Sequence, residues 1–82
     1  MSNFVKKIKV NSKILEFSFT RLISVNEIIF YVTVFDKNLK SCLFTMKQIK
    51  GVWKIIDAPK VPQWIHDVEK ELEKAIIENL LL

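Results

Sequence analysis

Few residues of this chain have side chains suited to catalytic chemistry. The sequence contains one cysteine, Cys42, and one histidine, His66. A nucleophile needs a neighbouring base and a metal site needs several ligands, so one residue of each type supplies neither. We expect Cys42 to point into the core as an inert thiol and His66 to be exposed on a helix surface. The sequence therefore predicts no catalytic residue, no metal, no cofactor and no small-molecule substrate.

Four acidic residues lie close together near the C-terminus, at Asp67, Glu69, Glu71 and Glu73. If this segment is helical, their spacing distributes the carboxylates around the helix surface and does not pair them for acid–base work. Asp67 and Glu69 suit the positive end of a helix dipole. We interpret these residues as a solvated helix surface.

The charge of the chain is unevenly distributed. Residues 1–60 contain eleven Lys and Arg against four Asp and Glu, a net charge of +7, whereas residues 61–82 contain two against five, a net charge of −3. A basic half can bind nucleic acid or an acidic protein, or can simply be solvated. The first ten residues contain three lysines and no uninterrupted apolar run, so we expect no targeting segment or membrane anchor and a reduced, cytoplasmic setting.

A helix is predicted over about residues 62–80. Apolar residues there recur at helical spacing around Val68, while charged residues take the opposite side. Pro62 suits the first position of a helix, because its missing N–H would have no partner there. A helix with one apolar side needs a sheet or another helix to cover that side.

Five strands are predicted before the helix, over about residues 4–10, 13–22, 27–35, 41–49 and 52–57. Apolar and polar residues alternate in each, and the third is rich in β-branched and aromatic residues. Asn11-Ser12 and Lys50-Gly51 each suit a two-residue turn, and Asp36-Lys37-Asn38 suits a longer one.

The turn lengths also predict a register. Each expected pair places bulky residues of neighbouring strands opposite each other, on one face of the sheet: Ile8 with Leu15, Phe4 with Phe19, Phe19 with Phe30, Phe17 with Val32, Val34 with Cys42, Val32 with Phe44, Met46 with Ile55, and Gln48 with Trp53. A shift of one residue would move a strand's apolar set to the other face, so this agreement supports the register. The prediction is a single α+β domain over residues 1–82, in which an antiparallel meander of four to five strands is covered on one face by the C-terminal helix.

The uncovered face of this sheet is the predicted interaction surface. Its candidate residues combine exposed apolar or aromatic groups with two lysines, and they are Ile29, Tyr31, Phe35, Leu43, Lys47 and Lys54. The register places Lys47 opposite Lys54, and like charges facing across strands are unfavourable. A phosphate or a partner's carboxylate would relieve the repulsion, as would two side chains that extend apart into water.

Two interpretations of this surface remain open. An exposed apolar sheet face is typical of self-association or protein binding by a non-enzymatic domain. Aromatic rings flanked by lysines are also typical of single-stranded nucleic-acid binding, because bases stack on the rings. The order of four or five meandering strands and then one helix resembles the repeating unit of Whirly and Pur-type single-strand-binding domains. The resemblance implies paired copies and carries over no individual residue.

Overall fold

The computed structural model describes residues 3–23, 25–35, 40–56 and 60–81. Five strands come first and two helices follow: β1 (Asn3–Val10), β2 (Lys13–Ile23), β3 (Ile28–Phe35), β4 (Ser41–Ile49), β5 (Val52–Ile55), α1 (Gln63–His66) and α2 (Glu69–Leu80). The strands form one antiparallel sheet in sequence order, so the predicted meander is confirmed. The sheet is strongly curled, in the manner of half a barrel.

Two tight turns fix the outer pairs of strands. Asn11 and Ser12 have φ of 48° and 71° between β1 and β2, and Lys50 and Gly51 have φ of 53° and 84° between β4 and β5. Positive φ at both central residues is the type I′ geometry, whose twist matches that of the flanking strands. The predicted pairs of Ile8 with Leu15, Phe4 with Phe19, Met46 with Ile55 and Gln48 with Trp53 are present.

The predicted register between β2 and β3 is wrong by two residues. Phe19 lies opposite Val32 and Phe17 opposite Val34, whereas we expected Phe30 and Val32. A shift of two leaves every side chain on its original face, so the apolar pattern cannot distinguish the two registers. Between β3 and β4 the predicted pairs of Val34 with Cys42 and Val32 with Phe44 are present. The predicted turn at residues 36–38 lies outside the described residues.

The core lies on one side of the sheet. Its most completely buried side chains come from the three central strands and from both helices: Phe17, Phe19, Phe30, Val32, Val34, Phe44, Met46, Ile65, Leu72 and Ile76. Phe30 lies at the centre of an aromatic group, with its ring centroid 6.0 Å from that of Phe4, 6.4 Å from that of Phe19 and 5.4 Å from that of Trp53. All three contacts have the edge-to-face geometry that aromatic pairs prefer.

The C-terminal segment is two helices, where the sequence predicted one over residues 62–80. The amide of Val68 donates to the carbonyl of Ile65 at 3.1 Å, an i→i−3 bond that interrupts the α-helical pattern. Helix α2 then begins, with Leu72 N donating to Val68 O at 3.0 Å. His66, expected to be exposed, is half-buried. Strand β5 ends at Ile55, two residues before its predicted end at residue 57, which is not described.

Candidate interaction surface

Strand alternation separates the sheet into a buried inner face and an exposed open face. We define the open face by the residues that alternate with the buried ones: Val5, Lys7, Lys9, Ile14, Glu16, Ser18, Thr20, Leu22, Ile29, Tyr31, Thr33, Phe35, Leu43, Thr45, Lys47, Ile49, Val52, Lys54 and Ile56. Ile56 follows the last residue of β5, but its amide still donates to Thr45 O at 3.0 Å.

All six residues of the predicted interaction surface lie on the open face. Strand β3 supplies Ile29, Tyr31 and Phe35, strand β4 supplies Leu43 and Lys47, and strand β5 supplies Lys54. The side chains differ in exposure. Tyr31 is 40% exposed, Phe35 57% and Leu43 70%, whereas Ile29 is half-buried. The structure therefore brings these residues to one surface, and their role there remains a prediction.

The open face has more exposed apolar surface than those six residues provide. Its exposed large hydrophobic side chains are Val5, Ile14, Tyr31, Phe35, Leu43, Ile49, Val52 and Ile56. Ile49 and Val52 are directly opposite each other beside the β4–β5 turn, and Phe35 and Leu43 are diagonal neighbours at the other end of β4. Cross-strand and diagonal neighbours are close enough for their side chains to touch, so these residues form apolar groups at two ends of the face.

Hydroxyl groups occupy the middle of the open face. Ser18 lies opposite Thr33 in one cross-strand row, and Tyr31 lies between Thr20 and Thr45 in the next. We call these five residues the hydroxyl strip. A hydroxyl can donate or accept a hydrogen bond as its partner requires. The centre of the surface can therefore form hydrogen bonds either with water or with the polar groups of a partner. Sequence reasoning placed these five residues on this face but assigned a role only to Tyr31.

One of the two lysines on β4 and β5, Lys47, has a charge partner that sequence reasoning missed. Lys47 lies opposite Lys54 as predicted, and its Nζ is 2.9 Å from Glu27 Oε2. Ile29 pairs with Lys47, so extending this register places Glu27 as a diagonal neighbour of Lys47, which is the signal that identifies the partner. At the other edge, Lys7 faces Glu16. Acidic residues of the same chain thus offset part of the positive charge on this face.

The described residues show no arrangement suited to catalysis by a metal. No group of three or more His, Cys, Asp or Glu residues within them is placed to hold a metal ion. Cys42 is half-buried and packs against the core at the start of β4, and His66 is half-buried at the end of α1. No helix in the same part of the chain is long and apolar enough to cross a membrane.

No family model matches this chain, and neither a curated protein nor a solved structure is significantly similar to it. The topological resemblance to Whirly and Pur-type domains gains no support from these comparisons.

Proposed function

We propose that this protein is a non-enzymatic interaction domain that uses its open face for self-association or for binding another protein. The observation that carries the proposal is the set of eight exposed apolar side chains on one face of the sheet. The proposal includes a helix layer over the inner face, where buried residues of α1 and α2 join the core cluster of the strands. It retains the cytoplasmic setting and the absence of a cofactor that the sequence predicts.

Burial of these side chains is the driving force in this proposal. Removing apolar surface from water contributes about 25 cal/mol per Å². The two apolar groups lie on one exposed face, and large exposed apolar patches usually mark a partner's position. The hydroxyl strip separates the two apolar groups, and partner groups can satisfy its hydrogen-bonding capacity, so burying it need not leave polar atoms without partners. A second copy of the same face offers the same combination of apolar groups and hydroxyls.

Light scattering with a matched pair of variants tests the proposal. Leu43→Lys places a charge in the apolar part of the open face, whereas Val25→Lys makes the same kind of change at an exposed site outside it. We expect a dimer mass for the wild type and for Val25→Lys, and a monomer mass for Leu43→Lys. A wild type that is monomeric at every concentration contradicts self-association. If the two variants have the same mass, the open face does not mediate the association.

The alternative function is single-stranded nucleic-acid binding through Tyr31 and Phe35. The exposure of both rings on the same face as Lys7, Lys9 and Lys54 favours it. The pairing of Lys47 with Glu27 counts against it, because a carboxylate beside the lysine repels phosphates. Oligonucleotide binding that weakens steeply with salt and is lost in Tyr31→Ala supports this alternative, since phosphate contacts release counterions and bases stack on aromatic rings.

A further inference from the structure

Helix α2 contacts the two edge strands of the sheet, β1 and β5, in different ways. At the β5 edge, the amide of Trp53 donates to Glu73 Oε2 at 3.0 Å, and the amide of Ile55 donates to Glu69 Oε2 at 2.8 Å. These amides would otherwise be available to another strand, because an edge strand presents a row of unpaired N–H and C=O groups. Two carboxylates of α2 therefore close the β5 edge against strand addition.

The tight turns determine which amides of an edge strand point outward. The residues that flank a two-residue turn form a hydrogen-bonded pair, and bonded and non-bonded pairs alternate from there along the strands. From the Ile49–Val52 pair, this rule makes the amides of Trp53 and Ile55 point outward, as their bonds to the carboxylates show. The rule therefore holds at the edge where it can be checked.

Applied to β1, the same rule identifies a row of outward-pointing groups. The turn at Asn11-Ser12 makes Val10 and Lys13 a hydrogen-bonded pair, so the backbone groups of Val5, Lys7 and Lys9 point away from β2. No acceptor outside the sheet receives a hydrogen bond from these three amides in the part of the chain that the structure describes. In contrast to β5, the β1 edge is open.

A positively charged groove runs between β1 and α2. It is lined by four lysines, two glutamates and two apolar residues: Lys6, Lys7, Lys9, Lys74, Glu71, Glu78, Ile8 and Ala75. Glu78 Oε1 is 3.8 Å from Lys6 Nζ, so one of the two carboxylates already has a lysine beside it. Lysines outnumber glutamates in the groove by two, which favours a negatively charged occupant.

A second copy of β1 is a poor occupant of this edge. If two copies of β1 paired antiparallel and kept both faces of the sheet continuous, residues of the same face would lie opposite each other, so the numbers of opposite residues would add to an even value. Two such registers have the longest overlap. Where the numbers add to 12, Lys6 lies opposite Lys6, and where they add to 14, Lys7 lies opposite Lys7. Like charges directly opposite across strands are destabilising. The lysines therefore discourage self-pairing and leave the edge to a strand of opposite charge.

We propose that the β1 edge binds an extended acidic segment of another protein by strand addition. The backbone groups of Val5, Lys7 and Lys9 hydrogen-bond with the added strand. Lys7 and Lys9 attract its carboxylates on the open-face side. In such complexes, main-chain bonds supply affinity and alternate side chains supply specificity. This site is separate from the apolar groups of the open face and does not depend on the function proposed above.

A capped ten-residue peptide in which Glu and Val alternate is the probe. We expect it to bind at least about tenfold more tightly than the same peptide with Lys in place of Glu, and more weakly at high salt. Two further versions are N-methylated, one on all Glu nitrogens and the other on all Val nitrogens. These nitrogens face opposite edges of an extended strand, so only the version that is methylated on the edge facing β1 is expected to lose binding.

Charge-reversal variants and amide exchange locate the bound peptide. In the Lys7→Glu/Lys9→Glu variant, preference should change to the Lys peptide, whereas Lys54→Glu on β5 should retain the wild-type preference. Circular dichroism checks that both variants are folded. In the wild type, the bound Glu peptide should slow hydrogen exchange at the amides of Val5, Lys7 and Lys9 and leave those of Trp53 and Ile55 unchanged.

Three outcomes overturn the proposal. If no binding of the Glu peptide is detected at millimolar concentration, the lysines only prevent edge association. Binding that neither methylated peptide weakens is electrostatic attraction without strand pairing. Tighter binding of a single-stranded oligonucleotide than of the Glu peptide, with the same amides unprotected, assigns the groove to nucleic acid.

Discussion

At the scale of single residues, the clearest structural role belongs to two carboxylates that the sequence presents as ordinary surface charges. Glu69 and Glu73 lie one helical turn apart, so they share one side of α2. That side meets the β5 edge, where each carboxylate accepts a hydrogen bond from a backbone amide. Their function depends on the position of a strand more than ten residues earlier in the chain, so local spacing gives no sign of it.

Removing one of these carboxylates is expected to destabilise the protein measurably. Glu73→Ala leaves the amide of Trp53 without its acceptor, and hydrogen bonds to charged groups contribute about 1.5–3 kcal/mol. We expect a loss near the lower end of that range, because the bond is only partly buried. Urea denaturation measures the change. The control is Glu78→Ala on the same helix, whose exposed ion pair with Lys6 should contribute less than about 1 kcal/mol. Equal losses would contradict the edge-closing role.

Substitutions in the two tight turns are expected to change the stability of the protein in opposite directions. Ser12 and Gly51 have φ of 71° and 84°, a region that costs a side chain with a Cβ about 1 kcal/mol or more. Ser12→Gly is therefore expected to stabilise the protein by somewhat less than this amount, because glycine also adds freedom to the unfolded chain. Gly51→Ala should destabilise it by about 1 kcal/mol. A Cβ at Gly51 would meet no atom within 4 Å, so this cost is conformational and not steric.

Chemical denaturation of both turn variants measures these changes. Two changes of the same sign would contradict the turn geometry.

At the scale of elements, the two faces of β3 provide a direct test of the sheet. Phe30 is completely buried among three other aromatic rings, whereas the neighbouring Tyr31 points to the open face. Phe30→Ala is expected to cost about 3–5 kcal/mol through lost burial and the cavity left behind. Tyr31→Ala should change the free energy of unfolding of the monomer by about 0.5 kcal/mol or less. Measurements on dilute protein that rank the two variants in the reverse order would place the strand one residue out of register.

How much of the fold could be predicted depends on what fixes each element locally. Side-chain alternation and the turns at Asn11-Ser12 and Lys50-Gly51 were enough to predict the faces and the outer registers. The connection between β2 and β3 has no comparable turn signal, so the register there could be predicted only to within a shift of two residues. The division between α1 and α2 has no glycine or proline to mark it, and both Ile65 and Val68 beside it are buried. The division between the two helices therefore coincides with tertiary packing, which a single sequence does not show.

For the candidate surface as well, sequence reasoning predicted what the local pattern determines. Its six predicted residues were placed on one face by alternation, a local property. The partner of Lys47 was missed although its signal was present: Glu27 begins the predicted third strand, and the predicted β3–β4 register makes it a diagonal neighbour of Lys47. The closed and open edges of the sheet were missed as well, because they depend on where α2 lies relative to β5 and β1. Contacts between distant segments therefore account for most of what sequence reasoning did not find.

At the scale of the whole molecule, the chain has room for only two layers. Its principal extents are 37 × 28 × 19 Å. A helix with its side chains is about 10–12 Å across, and packed layers are about 10 Å apart, so the shortest extent fits the proposed arrangement of one sheet and one helix layer. No described residues remain to cover the open face, and its apolar side chains stay in water unless a partner covers them.

Self-association through that face makes thermal stability depend on protein concentration. A partner that binds only the folded chain stabilises it by mass action, and 1 kcal/mol corresponds to about 4–8 °C in Tm for a domain of this size. We expect a hundredfold increase in concentration to raise the wild-type Tm by about 5 °C in differential scanning calorimetry. Leu43→Lys should abolish the dependence, because a desolvated lysine opposes burial of the face, and Val25→Lys should retain it. A wild-type Tm that is independent of concentration contradicts the dimer and leaves the open face to a different protein.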